Sequence, residues 1–87
     1  MKSRAEHLLE SDWVPVQSTT IARYRVDDIG DANTADLIIQ FKSKENPMYV
    51  YYRVPLSMIS VFANAQSKGK WLDAHLKKTK WSCDKIA

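Results

Sequence analysis

Glycine and proline are scarce in this chain, with two of the first and three of the second in 87 residues. That scarcity argues against linker-like and low-complexity readings, and Gly30 and Gly69 alone cannot build a glycine-rich phosphate loop. A single cysteine, Cys83, excludes an intramolecular disulfide and any cysteine-based zinc site, and it fits a reducing cytoplasm. No apolar run approaches the roughly 20 residues that a membrane helix needs. The opening MKSRAEHLLESDW lacks the uninterrupted apolar stretch of a signal peptide. Histidine is limited to His7 and His75, and no His/Asp/Glu spacing resembles a metal motif. Ser18, Thr19 and Thr20 have no base near them in the sequence and read as turn hydroxyls, while His75 reads as a half-buried structural histidine. These absences lead to the expectation of a cytoplasmic, non-enzymatic protein with no metal, no cofactor, no membrane partner and no evident small-molecule substrate.

What is present fits one small domain with one core: 45% of the residues are apolar. The expected organisation is an N-terminal arm over 1–13, a single domain over 14–81 and a C-terminal tail over 82–87. The net charge is +3, unevenly spread. Residues 1–36 hold four basic and seven acidic side chains, or −3; residues 37–67 give +2; residues 68–87 hold six lysines against Asp73 and Asp84, or +4. A basic C-terminal end suits a polyanionic partner, and it equally suits a solvated lysine-rich helix face.

Ser3 and Glu6 have capping-box spacing, which predicts a short helix from Arg4 to Glu10. Trp13-Val14-Pro15-Val16 reads as an extended entry segment, because Pro15 biases Val14 away from helix. Alternation then predicts strands over Thr20–Val26, Asp36–Lys42 and Met48–Val54, separated by the polar turns DDIGDANTA and Ser43–Pro47. Pro55 can open a helix over Leu56–Gln66, and a second helix is predicted over Lys70–Trp81. Gly69 between them is expected at positive φ, as a helix C-cap. The resulting fold class is α+β: an antiparallel meander of three to four strands packed against two C-terminal helices, with a short N-terminal helix in front. Val54, Ile59, Phe62, Leu72 and Leu76 are the expected core.

Two segments of this sequence carry a family resemblance. Tyr49-x-Tyr51-x-x-Val54-Pro55, followed by Ala65-x-Ser67-x-Gly69-x-Trp71-Leu72 and then His75-Leu76-Lys77, resembles the KTSC domain. Val16-Gln17-Ser18-Thr19 with Ile21 and Tyr24 resembles that family's opening. The resemblance covers roughly residues 14–81. Thr19, Leu72, Asp73 and Asn46-Pro47 depart from its usual pattern. The family takes its name from a domain at the C-terminus of some lysyl-tRNA synthetases, and small stand-alone members occur in bacteria and phages. The resemblance therefore implies a small auxiliary module with nucleic-acid contact.

If Leu37, Ile39 and Phe41 face the helices, one register puts Ala22, Tyr24, Val26, Val50, Tyr52 and Val54 with them. The opposite face then carries Arg23, Arg25, Gln40, Lys42, Tyr49, Tyr51 and Arg53. Such a basic and aromatic face has the chemistry for stacking on single-stranded bases and neutralising phosphates, although tyrosine–arginine pairs on a solvated sheet also serve stability alone. Lys68, Lys70, Lys77, Lys78 and Lys80 add phosphate contacts, with Ser67-Lys68-Gly69-Lys70 as a candidate phosphate turn. Two functional readings follow. One is a nucleic-acid-binding module for RNA or single-stranded DNA. The other is a protein-interaction module that docks on a larger protein or homodimerises, motivated by Trp13, Trp71 and Trp81 lying near ends and turns.

Overall fold

The computed structural model describes residues 13–86; the expected helix over Arg4–Glu10 lies outside them. Among the described residues, five strands form one antiparallel sheet in chain order: β1 (Val14–Pro15), β2 (Ile21–Asp27), β3 (Thr34–Phe41), β4 (Met48–Pro55) and β5 (Cys83–Lys85). Between β4 and β5 lie α1 (Leu56–Ala63), α2 (Lys68–Leu72) and a π-helical turn (Asp73–Lys77). The α+β class and the helical layer agree with the sequence reading, and the sheet is wider. The entry segment pairs with β2, Val14 opposite Tyr24, and the stretch read as a tail supplies β5, Cys83 opposite Tyr51. All three β5 residues are exposed, so no apolar alternation marks that strand in the sequence. Among the described residues, no helix is long and apolar enough to cross a membrane.

The sheet is buried on both faces at its centre. Leu37, Ile38 and Ile39 of β3 are all fully buried although they alternate in direction. Leu37 and Ile39 join the helix-side core with Ile21, Tyr24, Phe41, Val54, Ile59, Phe62, Leu72 and Leu76. Phe62 anchors this layer, with Tyr24 edge-on at 4.9 Å and Trp71 at 5.3 Å. The five residues expected as core are all buried here. On the back face, Ile38 packs with Trp13 and Val50, and Met48 and Tyr52 lie against them.

Two bulges change which side chains reach each face. In β2, Ile21 sits opposite Phe41 and Arg23 opposite Gln40, so Ala22 is an extra residue and Ile21 takes the core position. In β4, Val54 pairs with Ala35 and Tyr51 with Leu37, so two residues of β4 oppose Asp36. Arg53 carries the irregularity at φ 51°, and its backbone N–H donates to Asp36 Oδ1 at 3.1 Å. The expected β4 register is corrected as a result. Val54 does face the helices, but beyond the bulge the phase inverts: Tyr49 and Tyr51 face the helices, and Val50 and Tyr52 face the back.

The helices differ from expectation in length and in their junction. α1 stops at Ala63, short of Gln66. Gly69 does not have positive φ; it lies within α2, and its role is steric. A Cβ there would sit 3.2 Å from Thr20 Cβ and 3.3 Å from Thr20 Oγ1, so glycine lets α2 press against the entry to β2. The predicted single helix over 70–81 contains the π turn instead. Lys78 N–H donates to Asp73 O at 2.9 Å and Trp81 N–H to Leu76 O at 3.0 Å, each spanning five residues.

Candidate nucleic-acid interface

The helix side of the sheet is not fully covered. Where β3, β4 and β5 run past the π turn, a groove of about 600 Å³ opens over Phe41, Tyr49, Tyr51, Leu76 and Trp81. Lys42, Lys77 and Lys80 stand around it, with Thr19 and Thr20 along one margin and Cys83 at the β5 edge. No carboxylate lines this compartment among the described residues. A second compartment of about 430 Å³ adjoins it and shares Thr19, Thr20 and Lys77. Its lining is polar: Ser18, Lys68, Gly69, Lys70 and Asp73 belong to it, and no aromatic among the described residues does.

Local structure places each lysine. Lys42 follows β3 directly, and its Nζ donates to Ser18 O at 2.6 Å, bringing the ammonium across the β2 entry. Lys77 closes the π turn with its Nζ 4.6 Å above the Phe41 ring. Lys80 lies just after that turn at φ 56°, a left-handed conformation for a non-glycine residue, and the chain then turns into Trp81. The Trp81 indole N–H donates to Tyr52 O at 2.8 Å and so pins the ring beside β4. Ser18 Oγ accepts from the backbone N–H groups of Thr20 and Ile21, at 3.0 and 3.1 Å, which fixes the Ser18-Thr19-Thr20 turn. Lys68 Nζ donates to Ala65 O at 3.3 Å, tying that side chain across the junction of the helices.

The floor is aromatic. Phe41 and Tyr49 meet edge to face at 5.7 Å. Tyr51 is 3% exposed, and burial pushes its hydroxyl up to about 12, with Cys83 and Tyr49 adding to the shift. At neutral pH it is therefore a neutral phenol, a donor rather than an anion.

The sequence-expected residues separate into two groups. Lys42, Tyr49, Tyr51, Lys77 and Lys80 converge on the aromatic compartment, and Lys68, Lys70 and Lys77 on the polar one. The open display of Tyr51 is corrected: it forms floor and core, not an exposed platform. Arg23, Arg25 and Arg53 lie elsewhere. The Arg23 guanidinium sits 4.3 Å from the Trp13 ring centre and its Nε donates to Gln40 Oε1 at 2.6 Å. Arg25 is buried, with Nη2 3.5 Å from Asp27 Oδ1. Arg53 is exposed near Asp31, whose carboxyl is held below its usual range mainly by the Asn33 N–H and the Thr34 hydroxyl, with a smaller contribution from Arg53. Lys78 leans toward Asp73 at 3.9 Å, both well exposed. Phe41, Trp81 and the Thr19-Thr20 pair were missed by pattern reasoning. One signal was present, however: in Tyr49-x-Tyr51-x-x-Val54 the step from Tyr51 to Val54 is three, which on one face of a strand requires a bulge between them.

The family model for the KTSC domain matches residues 18–79. The chain belongs to the KTSC domain family. Within this KTSC domain the match runs from Ser18 to Thr79, so of the residues lining the aromatic compartment only Lys80, Trp81 and Cys83 lie beyond it. A crystal structure of a KTSC domain protein from Yersinia pestis is similar to this chain at 32% identity, with a TM-score of 0.67, over 86% of this chain and 96% of that one. No curated protein matches the chain.

Proposed function

We propose that this KTSC domain is a non-catalytic accessory module that binds single-stranded nucleic acid, RNA or DNA, in the groove between the sheet and the π turn. The observation that carries this reading is the coincidence of three lysines with an aromatic floor and, among the described residues, no carboxylate in one compartment. Ammonium groups neutralise phosphates, and an aromatic surface accepts any base by stacking. The lysines are preset, Lys42 by Ser18 O and Lys77 by Phe41, which lowers the entropy lost on binding. The protein-docking reading has less support, because the tryptophans that motivated it make intramolecular contacts: Trp13 is buried, and Trp71 and Trp81 pack against the core.

The test is fluorescence anisotropy with a labelled single-stranded RNA and a DNA of matching sequence across a salt series. Binding at low salt is expected, and K42Q/K77Q/K80Q should weaken it for both strands. With three phosphate contacts removed, the slope of log affinity against log salt should flatten by about 2, from roughly 0.7 per contact on single strands. Absence of binding by the folded parent protein at low salt would refute the reading.

A further inference from the structure

The groove is chemically divided. Its aromatic compartment holds Phe41, Tyr49 and Trp81, and the adjoining compartment holds Lys68, Lys70 and, among the described residues, no aromatic. Thr19, Thr20 and Lys77 line both, so the two are continuous. We infer that the groove recognises a nucleotide bearing a terminal phosphomonoester, with the base over the aromatic floor and the phosphate among the lysines of the polar compartment. This deepens the nucleic-acid reading and rests on it.

Three observations carry the inference. The first is size: at about 600 and 430 Å³, the compartments have room for a base in one and a phosphate group in the other. The second is charge. In the polar compartment Lys68, Lys70 and Lys77 converge against one lining carboxylate among the described residues, Asp73, which also approaches Lys78. An internal nucleotide brings one negative charge, whereas a phosphomonoester brings about −1.5 to −2 at neutral pH. The surplus of ammonium groups matches the second better. The third is donor character. Lysine ammoniums and the Thr19 and Thr20 hydroxyls all offer hydrogen bonds, and a terminal phosphate presents three acceptor oxygens to them.

The phosphate can come from a strand end or from a free nucleotide, and the experiment separates these sources. One short labelled RNA is prepared with a 5′-phosphate, with a 3′-phosphate and with hydroxyls at both ends, and binding is measured by anisotropy at fixed salt. One phosphorylated end should bind at least about tenfold tighter than the hydroxyl form and tighter than the other phosphorylated end, which carries the same charge. K68Q/K70Q, checked for folding by circular dichroism, should reduce that form's affinity toward that of the hydroxyl form. Should the pair unfold, Lys70→Gln alone, at an exposed site, serves the same purpose. Adenosine monophosphate competing as well as the preferred end indicates the free nucleotide; failure to compete indicates the strand end. Equal affinity for both phosphorylated ends, or a preference that survives removal of the lysines, overturns the inference while leaving strand binding intact. No binding of any RNA overturns both readings.

Discussion

On the back of the sheet, Arg23 lies over the Trp13 ring and donates to Gln40, and Arg25 is buried beside Asp27. On the helix side, Lys77 also lies over an aromatic ring, that of Phe41, but its ammonium stands at the margin of an open groove without a lining carboxylate near the ring. Both faces thus combine cations with aromatic rings. The difference is in what surrounds the charge. Guanidiniums packed against side-chain acceptors contribute to holding the sheet together, whereas ammonium groups around a concave aromatic floor remain able to meet an external anion. A basic–aromatic composition is therefore no guide to a binding face until the register is known.

The largest expected effect removes the support of the helix side. Phe62→Ala should lower stability by about 3–5 kcal/mol in urea denaturation, since the ring is fully buried between Tyr24 and Trp71. A midpoint close to that of the parent would mean that α1 is not seated on the sheet as described. The contrast between the faces is sharpened by Arg23→Ala, which should cost about 1–2 kcal/mol through the lost ring contact and hydrogen bond, with affinity for single strands unchanged. If affinity falls as it does for K42Q/K77Q/K80Q, the back face also binds and the contrast fails.

Tyr51 offers a pH test of the groove floor. Its raised pKa means that the unfolded chain releases the proton first, near the usual 10, while the folded protein retains it until about 12. Stability from this residue is thus complete below pH 10 and is lost as pH rises from 10 to 12. Tyr51→Phe should flatten that decline in alkaline melting curves; an unchanged decline would place the hydroxyl in water. The smallest effect is expected at Gly69. Alanine gains up to about 1 kcal/mol of helix propensity but places a methyl 3.2 Å from Thr20 Cβ. The two oppose each other, so Gly69→Ala should shift stability by less than about 1 kcal/mol in thermal melts. A severe loss would indicate that the Thr20 turn cannot yield.

The core was legible because helical periodicity places Ile59 and Phe62 together, and Leu72 and Leu76 four residues apart, on inward faces. The face of Tyr49 and Tyr51 was not legible by alternation. The bulge turns on Arg53 at positive φ, and arginine carries none of the local signature that glycine or asparagine would. β5 was hidden for a different reason. Cys83, Asp84 and Lys85 bury no apolar row, and the strand exists through pairing with β4 and its flanking bonds, Tyr52 N–H to Ser82 O and Ile86 N–H to Met48 O. The lysines of the site were visible as a cluster, but their division between two compartments depends on the Thr19-Thr20 turn and on the close approach of α2, both tertiary facts.

The π turn sets how this surface responds to changes in chain length. A π turn is an α-helical turn carrying one additional residue. Deleting a single residue between Asp73 and Lys77 would restore ordinary winding and leave Lys80 and Trp81 facing Phe41 and Tyr49 much as before, because the wide turn already absorbs the additional residue. A residue removed from the α-helical winding before it, between Lys68 and Leu72, meets no such buffer and would turn everything after it by about 100° about the helix axis. Among relatives, a length difference inside the π turn would keep the cations on the groove, and one in the winding before it would separate members that share the groove from members that share only the fold.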